Sequence, residues 1–187
     1  EAGKDKSGLA PVRATTAYQQ VDWQPGAPPR VITQADPDDL AAMVEDIKTL
    51  RPKVDVLAVS MHWGVHFAPS IIAEYQYEVG HAAIDAGADI ILGHHAHILK
   101  GIEIYKGKVI FFSLCNFALP LPLSFMNNPD TDLHEIHEFY RYQIDPEYTS
   151  YAMPIDSQKT ILVKCDIADK KIQRVAYLPL WVNKKGE

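Results

Sequence analysis

Apolar positions along this chain alternate between a helical period and short continuous runs, and the switches mark its elements. The segment Val12–Tyr18 predicts a short strand within a proline-bearing, loop-rich start. Asp36-Pro37 then reads as a helix start, with an acceptor side chain at the N-cap and proline at the first helical position. Leu40, Met43, Val44, Ile47 and Leu50 recur at helical spacing, which predicts an amphipathic helix to about Leu50, stopped before Pro52. Val54–Met61 is a nearly unbroken apolar run rich in β-branched residues and predicts a strand buried on both faces. Ser70 can cap a second helix reaching Ala86, with Ile72, Tyr75, Val79 and Ala83 inward and Gly87 at its end. Asp89–Leu92 predicts another short strand, so the three elements form a right-handed parallel βαβ unit.

Beyond it, Ile102–Tyr105 and Lys108–Ser113 flank Lys106-Gly107, a two-residue hairpin turn. Thr160–Cys165 and Ile172–Leu178 predict a closing antiparallel pair turning at Ala168-Asp169-Lys170. Between these hairpins the pattern breaks into a stretch rich in Pro, Tyr and acidic residues, expected to be a long excursion or lid over residues 119–158. A short helix is expected within it at Asp132–Tyr142. The sum is a mixed α/β domain.

Composition narrows the picture. The 187 residues are 47% hydrophobic and 22% charged, enough for one full core and against wholesale disorder. No apolar run approaches the roughly 18 residues of a membrane helix, so no membrane segment is expected. A net charge of −6 offers no general attraction to nucleic acid, and none is expected as a partner. Cys115 and Cys165 cannot make a disulfide framework. The chain begins Glu1-Ala2-Gly3-Lys4 without an initiator Met or apolar leader, as expected of a processed product or part of something longer.

Histidines carry the chemistry. The first parallel strand runs into Met61-His62-Trp63-Gly64-Val65-His66 and the second into Gly93-His94-His95-Ala96-His97. Open parallel sheets bind ligands outside the carboxyl ends of their strands, and a βαβ unit puts both ends on one edge, so the two clusters should converge. In an extended backbone His95 and His97 point the same way and His94 the other. With His62 they form a three-imidazole set suited to zinc, iron, nickel or manganese. The pair His134 and His137 lacks the His-Glu-x-x-His spacing and reads as a solvated helix face rather than a second metal site. Cys115 is either a soft ligand or a small buried residue, the latter favoured, and the aromatics Phe139, Tyr140, Tyr142, Tyr148 and Tyr151 read as packing.

His62-Trp63-Gly64, Ala86-Gly87-Ala88-Asp89, Gly93-His94-His95-Ala96-His97-Ile98-Leu99, Gly101-Ile102-Glu103 and Ser113-Leu114-Cys115-Asn116-Phe117 together resemble the CapA family. Its members are bacterial capsule or poly-γ-glutamate synthesis proteins with a calcineurin-like metallophosphoesterase fold. The likeness runs without a gap over residues 55–118 and is loose elsewhere. It implies the C-terminal part of a four-layer αββα sandwich with a mixed sheet, and a site holding divalent Mn, Zn or Fe. His62, His95 and His97 match the family's C-terminal metal ligands, with His94, Asn116 and His66 as nearby substrate contacts and no residue assigned a catalytic role. His66 stands where the family usually has Glu, and Cys115 where it usually has Gly.

The family's N-terminal half supplies Asp, Glu, Asn and His residues that complete a dinuclear centre. No Gly-Asp or Asn-His appears here, so residues 1–187 are expected to be a single domain lacking that half, with two metals only where it is present. Two functions follow from the resemblance. One is a metal-dependent phosphoesterase acting on a phosphoester; the other is a non-catalytic assembly or export component that binds an anionic polymer. Both imply a place in the bacterial cell envelope, outside the cytoplasm.

Overall fold

The computed structural model describes residues 8–21, 26, 28–122, 124 and 143–186. The expected helix at Asp132–Tyr142, with His134 and His137, lies outside them, as do Phe139, Tyr140 and Tyr142. Strands β1 (Ala14–Gln19) and β2 (Arg30–Ala35) form an antiparallel hairpin. Helix α1 (Pro37–Leu50) follows, then β3 (Ala58–His62), α2 (Glu74–Ala86) and β4 (Ile90–His94). Strands β5 (Ile102–Tyr105) and β6 (Lys108–Phe111) make the second hairpin, and β7 (Lys159–Ala168) with β8 (Lys171–Trp181) the third. The central sheet has the order β3-β4-β6-β5, with β4 parallel to both neighbours and β5 antiparallel to β6. This is a mixed α/β architecture with a parallel-rich sheet.

Helix α1 begins where the capping chemistry dictates. The Asp36 carboxylate accepts the N–H groups of Asp38 and Asp39, both at 3.1 Å, and Pro37 follows. Helix α2 starts later than Ser70, because that residue has a left-handed backbone (φ 61°) and cannot take the extended conformation of an N-cap. Instead the Gln76 side chain reaches back to accept the Ala73 N–H at 2.9 Å. Strand β2 has no counterpart in the apolar pattern. It is held by α2: Glu78 accepts the Ala35 N–H, Glu74 accepts the Thr33 N–H and pairs with Arg30, and the Tyr75 N–H donates to the Thr33 hydroxyl.

The core lies between the two helices and one sheet face, where Met43, Ile47, Val79, Ala83, Ile91, Ile110 and Phe112 are buried together. Strand β3 corrects the expectation of burial on both faces. It sits at the sheet edge, and Ala58, Ser60 and His62 alternate as exposed positions with the half-buried Val59 and Met61. Beyond the edge strand, the second sheet face meets β7 and β8 across an open apolar cavity of about 420 Å³. Ile104 of β5 is 75% exposed on the flank of the same sheet. Among the described residues no helix is long and apolar enough to cross a membrane.

Asp89 ties down the end of the βαβ unit opposite the histidines. Its carboxylate accepts from Arg51 at 2.6 Å, from the Leu57 N–H at 2.9 Å and from the Lys108 ammonium. Burial alone would raise its pKa, but these hydrogen bonds outweigh that and hold it below the ordinary 3.8. Asp89→Ala is therefore expected to destabilise the fold by about 1–3 kcal/mol at neutral pH. A group with a depressed folded-state pKa loses its contribution as pH falls, so the gap between variant and wild type should narrow below pH 3.8. Urea titrations at pH 7 and pH 3 measure both.

Candidate functional site

The parallel pairing of β3 with β4 puts His62 level with His94, and the main chain stays joined beyond the strand ends. The Trp63 N–H donates to the His94 carbonyl at 3.2 Å, and the Phe67 N–H to the Ala96 carbonyl at 3.1 Å. The two histidine loops are thus stitched together along the carboxyl edge of the sheet. Trp63 anchors the first of them from beneath, its buried indole N–H donating to the Phe112 carbonyl at 3.0 Å. Gly64 makes the turn at φ 91°, and the Tyr75 hydroxyl accepts its N–H at 2.6 Å. A side chain there would strike the Gln76 amide at 2.7 Å.

Four imidazoles meet at this edge. His62 Nε2 and His95 Nδ1 are 2.9 Å apart, with ring centroids at 4.6 Å. His66 packs on His95 at 3.9 Å between centroids and lies 5.7 Å from His97, nearly parallel to it. The route to this arrangement differs from simple alternation along a strand. Strand β4 ends at His94, and both His95 (φ 96°) and His97 (φ 55°) have left-handed backbones. Cys115, beneath them, has φ 66°. Such conformations are costly for residues with a side chain, and they concentrate where a site needs particular directions. His95 and His97 both meet His66 because the chain turns sharply, not because they are two apart in an extended segment. His94 lies apart from them, in the wall of the apolar cavity with Leu92, Leu114 and Cys115.

Asn116 sits under His97. Its Oδ1 is 2.7 Å from His97 Nδ1, and its Nδ2 donates to the Tyr151 hydroxyl at 2.7 Å. With both amide ends engaged and only 9% exposed, Asn116 supports the His97 ring. Burial pushes the Cys115 thiol pKa up to about 12, so it stays protonated, its single S–H within reach of two acceptors, the His97 carbonyl at 3.2 Å and the Ser157 carbonyl at 3.4 Å. His66 was among the site contacts expected from the sequence, whereas Tyr151, read there as packing, was not evident as part of the cluster.

Burial and then mutual repulsion lower the pKa of His66, His95 and His97 and so favour their neutral forms. His95 is lowered to about 4, by desolvation first and then by His66, His62 and His97. His66, His94 and His97 are lowered too, burial being the largest cause in each. A base whose folded-state pKa is depressed takes up protons more readily in the unfolded chain. Stability in the absence of metal should therefore fall as pH drops from 6.5 towards 4, and hold steady above 6.5. Thermal melts across pH 4–8 with a chelator present measure this.

Neutral nitrogens are what a divalent metal needs. Two nitrogens each about 2.1 Å from one ion at right angles lie about 3.0 Å apart, and the His62–His95 pair shows 2.9 Å. Among the described residues, however, no group of three His, Cys, Asp or Glu side chains is arranged to hold an ion. The pair fits as part of a ligand set and does not complete one.

Residues 3–120 match the family described as bacterial capsule synthesis protein PGA_cap, a span that includes both histidine loops and Asn116. The chain is 41% identical over 87 residues to the PGA biosynthesis protein CapA of Bacillus subtilis, covering 46% of this chain and 22% of that protein. It is 38% identical over 86 residues to the capsule biosynthesis protein CapA of Bacillus anthracis, covering 44% and 20%. A probable polyglutamine synthesis accessory protein of Mycobacterium tuberculosis is 42% identical over 79 residues, covering 40% and 19%. The matched stretch thus spans about a fifth of the length of these curated relatives. The model of the family covers more than half of this chain, histidine edge included, and the chain belongs to the bacterial capsule synthesis PGA_cap family.

Proposed function

We propose that this chain is the histidine-bearing part of a metal-dependent phosphoesterase of capsule or poly-γ-glutamate synthesis, within a calcineurin-like four-layer αββα sandwich. The observation that carries the reading is the His62–His95 pair, its nitrogens 2.9 Å apart at the carboxyl edge of two adjacent parallel strands. In this reading His62, His95 and His97 are metal ligands, for Mn, Zn or Fe. His66 flanks the space a phosphoester or anionic polymer would enter, and Asn116 holds His97. A bound divalent ion would polarise a phosphoryl oxygen and lower the pKa of a bound water. The protein's part is to disfavour protonation of His95 and His97 and to hold the imidazoles fixed in direction. Their packing against one another and the two backbone links between the loops serve both ends.

Residues 1–187 are one domain in this reading, with 119–158 as its excursion. The remaining ligands come from an N-terminal half of the domain, and the whole acts in the cell envelope. The incomplete ligand set among the described residues also favours a second reading, a non-catalytic component that binds polymer through the same fold. Hydrolysis of bis(p-nitrophenyl) phosphate by the full-length protein with Mn²⁺ separates the two. Turnover that disappears in the His95→Ala protein supports the enzyme; bound metal with no turnover supports the assembly role. Residues 1–187 alone are expected to hold at most one metal and to turn over negligibly, since two-metal clamping of attacking and leaving oxygens is then missing.

A further inference from the structure

A chain of hydrogen bonds runs from Ser157 through Tyr151 and Asn116 to His97, and its directions are dictated by which atoms carry protons. The Ser157 carbonyl can only accept, so the Tyr151 hydroxyl, 2.8 Å away, donates to it. That hydroxyl has one proton, so at its other contact, 2.7 Å from Asn116, it accepts. The Asn116 amide must therefore present its NH₂ to Tyr151 and its oxygen to His97. An amide oxygen only accepts, so His97 Nδ1, 2.7 Å away, is the donor. In a neutral imidazole the other nitrogen, Nε2, is then the one with a bare lone pair.

We propose that Tyr151 is a positioning residue: through Asn116 it fixes His97 in the Nδ1–H tautomer and reserves Nε2 for a ligand. This rests on the reading of His97 as a metal ligand for its purpose, but not for its geometry.

The reverse arrangement is the poorer one: it takes the Tyr151 proton from the Ser157 carbonyl at 2.8 Å and leaves that carbonyl only the weaker Cys115 thiol at 3.4 Å. Turning the amide over would set its oxygen against the Tyr151 oxygen and draw that proton away from Ser157. It would also set NH₂ against His97 Nδ1, making Nδ1 the acceptor and placing the proton on Nε2. Water cannot relieve the mismatch, because Tyr151 and Ser157 are fully buried and Asn116 nearly so. The Tyr151 backbone is held as well, by a bridge to Leu121 and by the Ala152 N–H donating to the Leu121 carbonyl at 2.8 Å. Tyr151 lies 35 residues after Asn116, in the excursion. That segment thus does more than fill space: it sets the proton on a ring at the histidine edge.

The test reads the tautomer directly, by long-range ¹H–¹⁵N correlation on full-length protein labelled at histidine, without metal, near pH 8. Wild-type His97 is expected as the Nδ1–H form alone. Tyr151→Phe keeps the ring and removes the hydroxyl, which frees the amide to turn, so an Nε2–H population should appear. Introducing Asn116→Asp into Tyr151→Phe should restore the single Nδ1–H form, because a carboxylate has no NH₂ to present whichever way it turns. Asn116→Ala, which removes the acceptor outright, is measured beside them in case the phenylalanine protein folds poorly, and should also show mixed tautomers.

Wild-type His97 found as Nε2–H, or His97 unchanged in every variant, would overturn the proposal. Mn²⁺ titration of the same samples separates the two readings. A roughly 10–100-fold weaker affinity in Tyr151→Phe, rescued in the double variant, supports both. No Mn²⁺ binding by wild type, with the expected tautomers, removes the metal reading and leaves the positioning role of Tyr151 standing.

Discussion

Replacing His95 by alanine is expected to lower divalent-metal affinity more than about 100-fold, since losing even groups that only orient a ligand costs about 10–100-fold. His95 is the hub of the cluster: its Nδ1 is 2.9 Å from His62 Nε2, and its ring packs on His66 at 3.9 Å. His62→Ala should behave alike, and His97→Ala should also cut metal content. His94→Ala is the control, because its ring lines the apolar cavity rather than the cluster. Metal per chain after dialysis, measured by mass spectrometry, decides the matter; equal losses from all four variants would show that the cluster is not the site. A second readout guards against trivial unfolding. His95 is held near pKa 4, so its ring opposes folding in mildly acid solution. Its removal should therefore raise the metal-free melting temperature at pH 5 relative to wild type, even as it abolishes binding.

Gly93→Ala should be the most damaging alanine substitution among the glycines whose surroundings are described. A Cβ at this position of β4 would stand 2.3 Å from the Phe112 carbonyl oxygen and 2.5 Å from that of Phe111. Both are backbone atoms, so no side chain can swing aside, and the strands themselves must separate. Overpacking a core commonly costs about 1–3 kcal/mol; a clash with two main-chain carbonyls should exceed that. The Gly93 carbonyl also accepts the Leu114 N–H at 3.0 Å, so the strain reaches the segment carrying Cys115 and Asn116. Urea unfolding of Gly93→Ala is expected to show a loss of about 3 kcal/mol or more. An unchanged midpoint would mean that the strands around Gly93 approach less closely than described.

What could be read from the chain beforehand depends on how local the determining interactions are. Helix α1 follows from Asp36, Pro37 and an apolar stripe that are all contiguous, and its bounds agree with that reading. The three central elements β3, α2 and β4, and the parallel pairing, follow from apolar runs bounded by glycine. The hairpin at Lys106-Gly107 needs only two residues of turn chemistry. Strand β2 was not legible because its N–H groups are satisfied by Glu74 and Glu78, 41 and 43 residues away. The start of α2 was misread because Ser70 looks like a cap until its backbone is known to be left-handed. At the candidate site, convergence of the two loops could be deduced from topology, but the left-handed turns at His95 and His97 could not. Nor could the reach of Tyr151 to Asn116, which depends on a long segment folding back.

The histidines that meet at the sheet edge are 33 residues apart in sequence, and only parallel strand pairing brings them together. Hairpins such as β5–β6 close over two residues, whereas parallel pairing must first meet the entropy of closing a long loop. The histidine edge is therefore expected to assemble late, after the local hairpins. Metal supplied during refolding should leave the folding arm of a chevron plot unmoved and slow the unfolding arm, because contacts made after the transition state act on escape from the native state. An ion bound at this edge would thus act as a latch on a finished fold rather than as a template for making it.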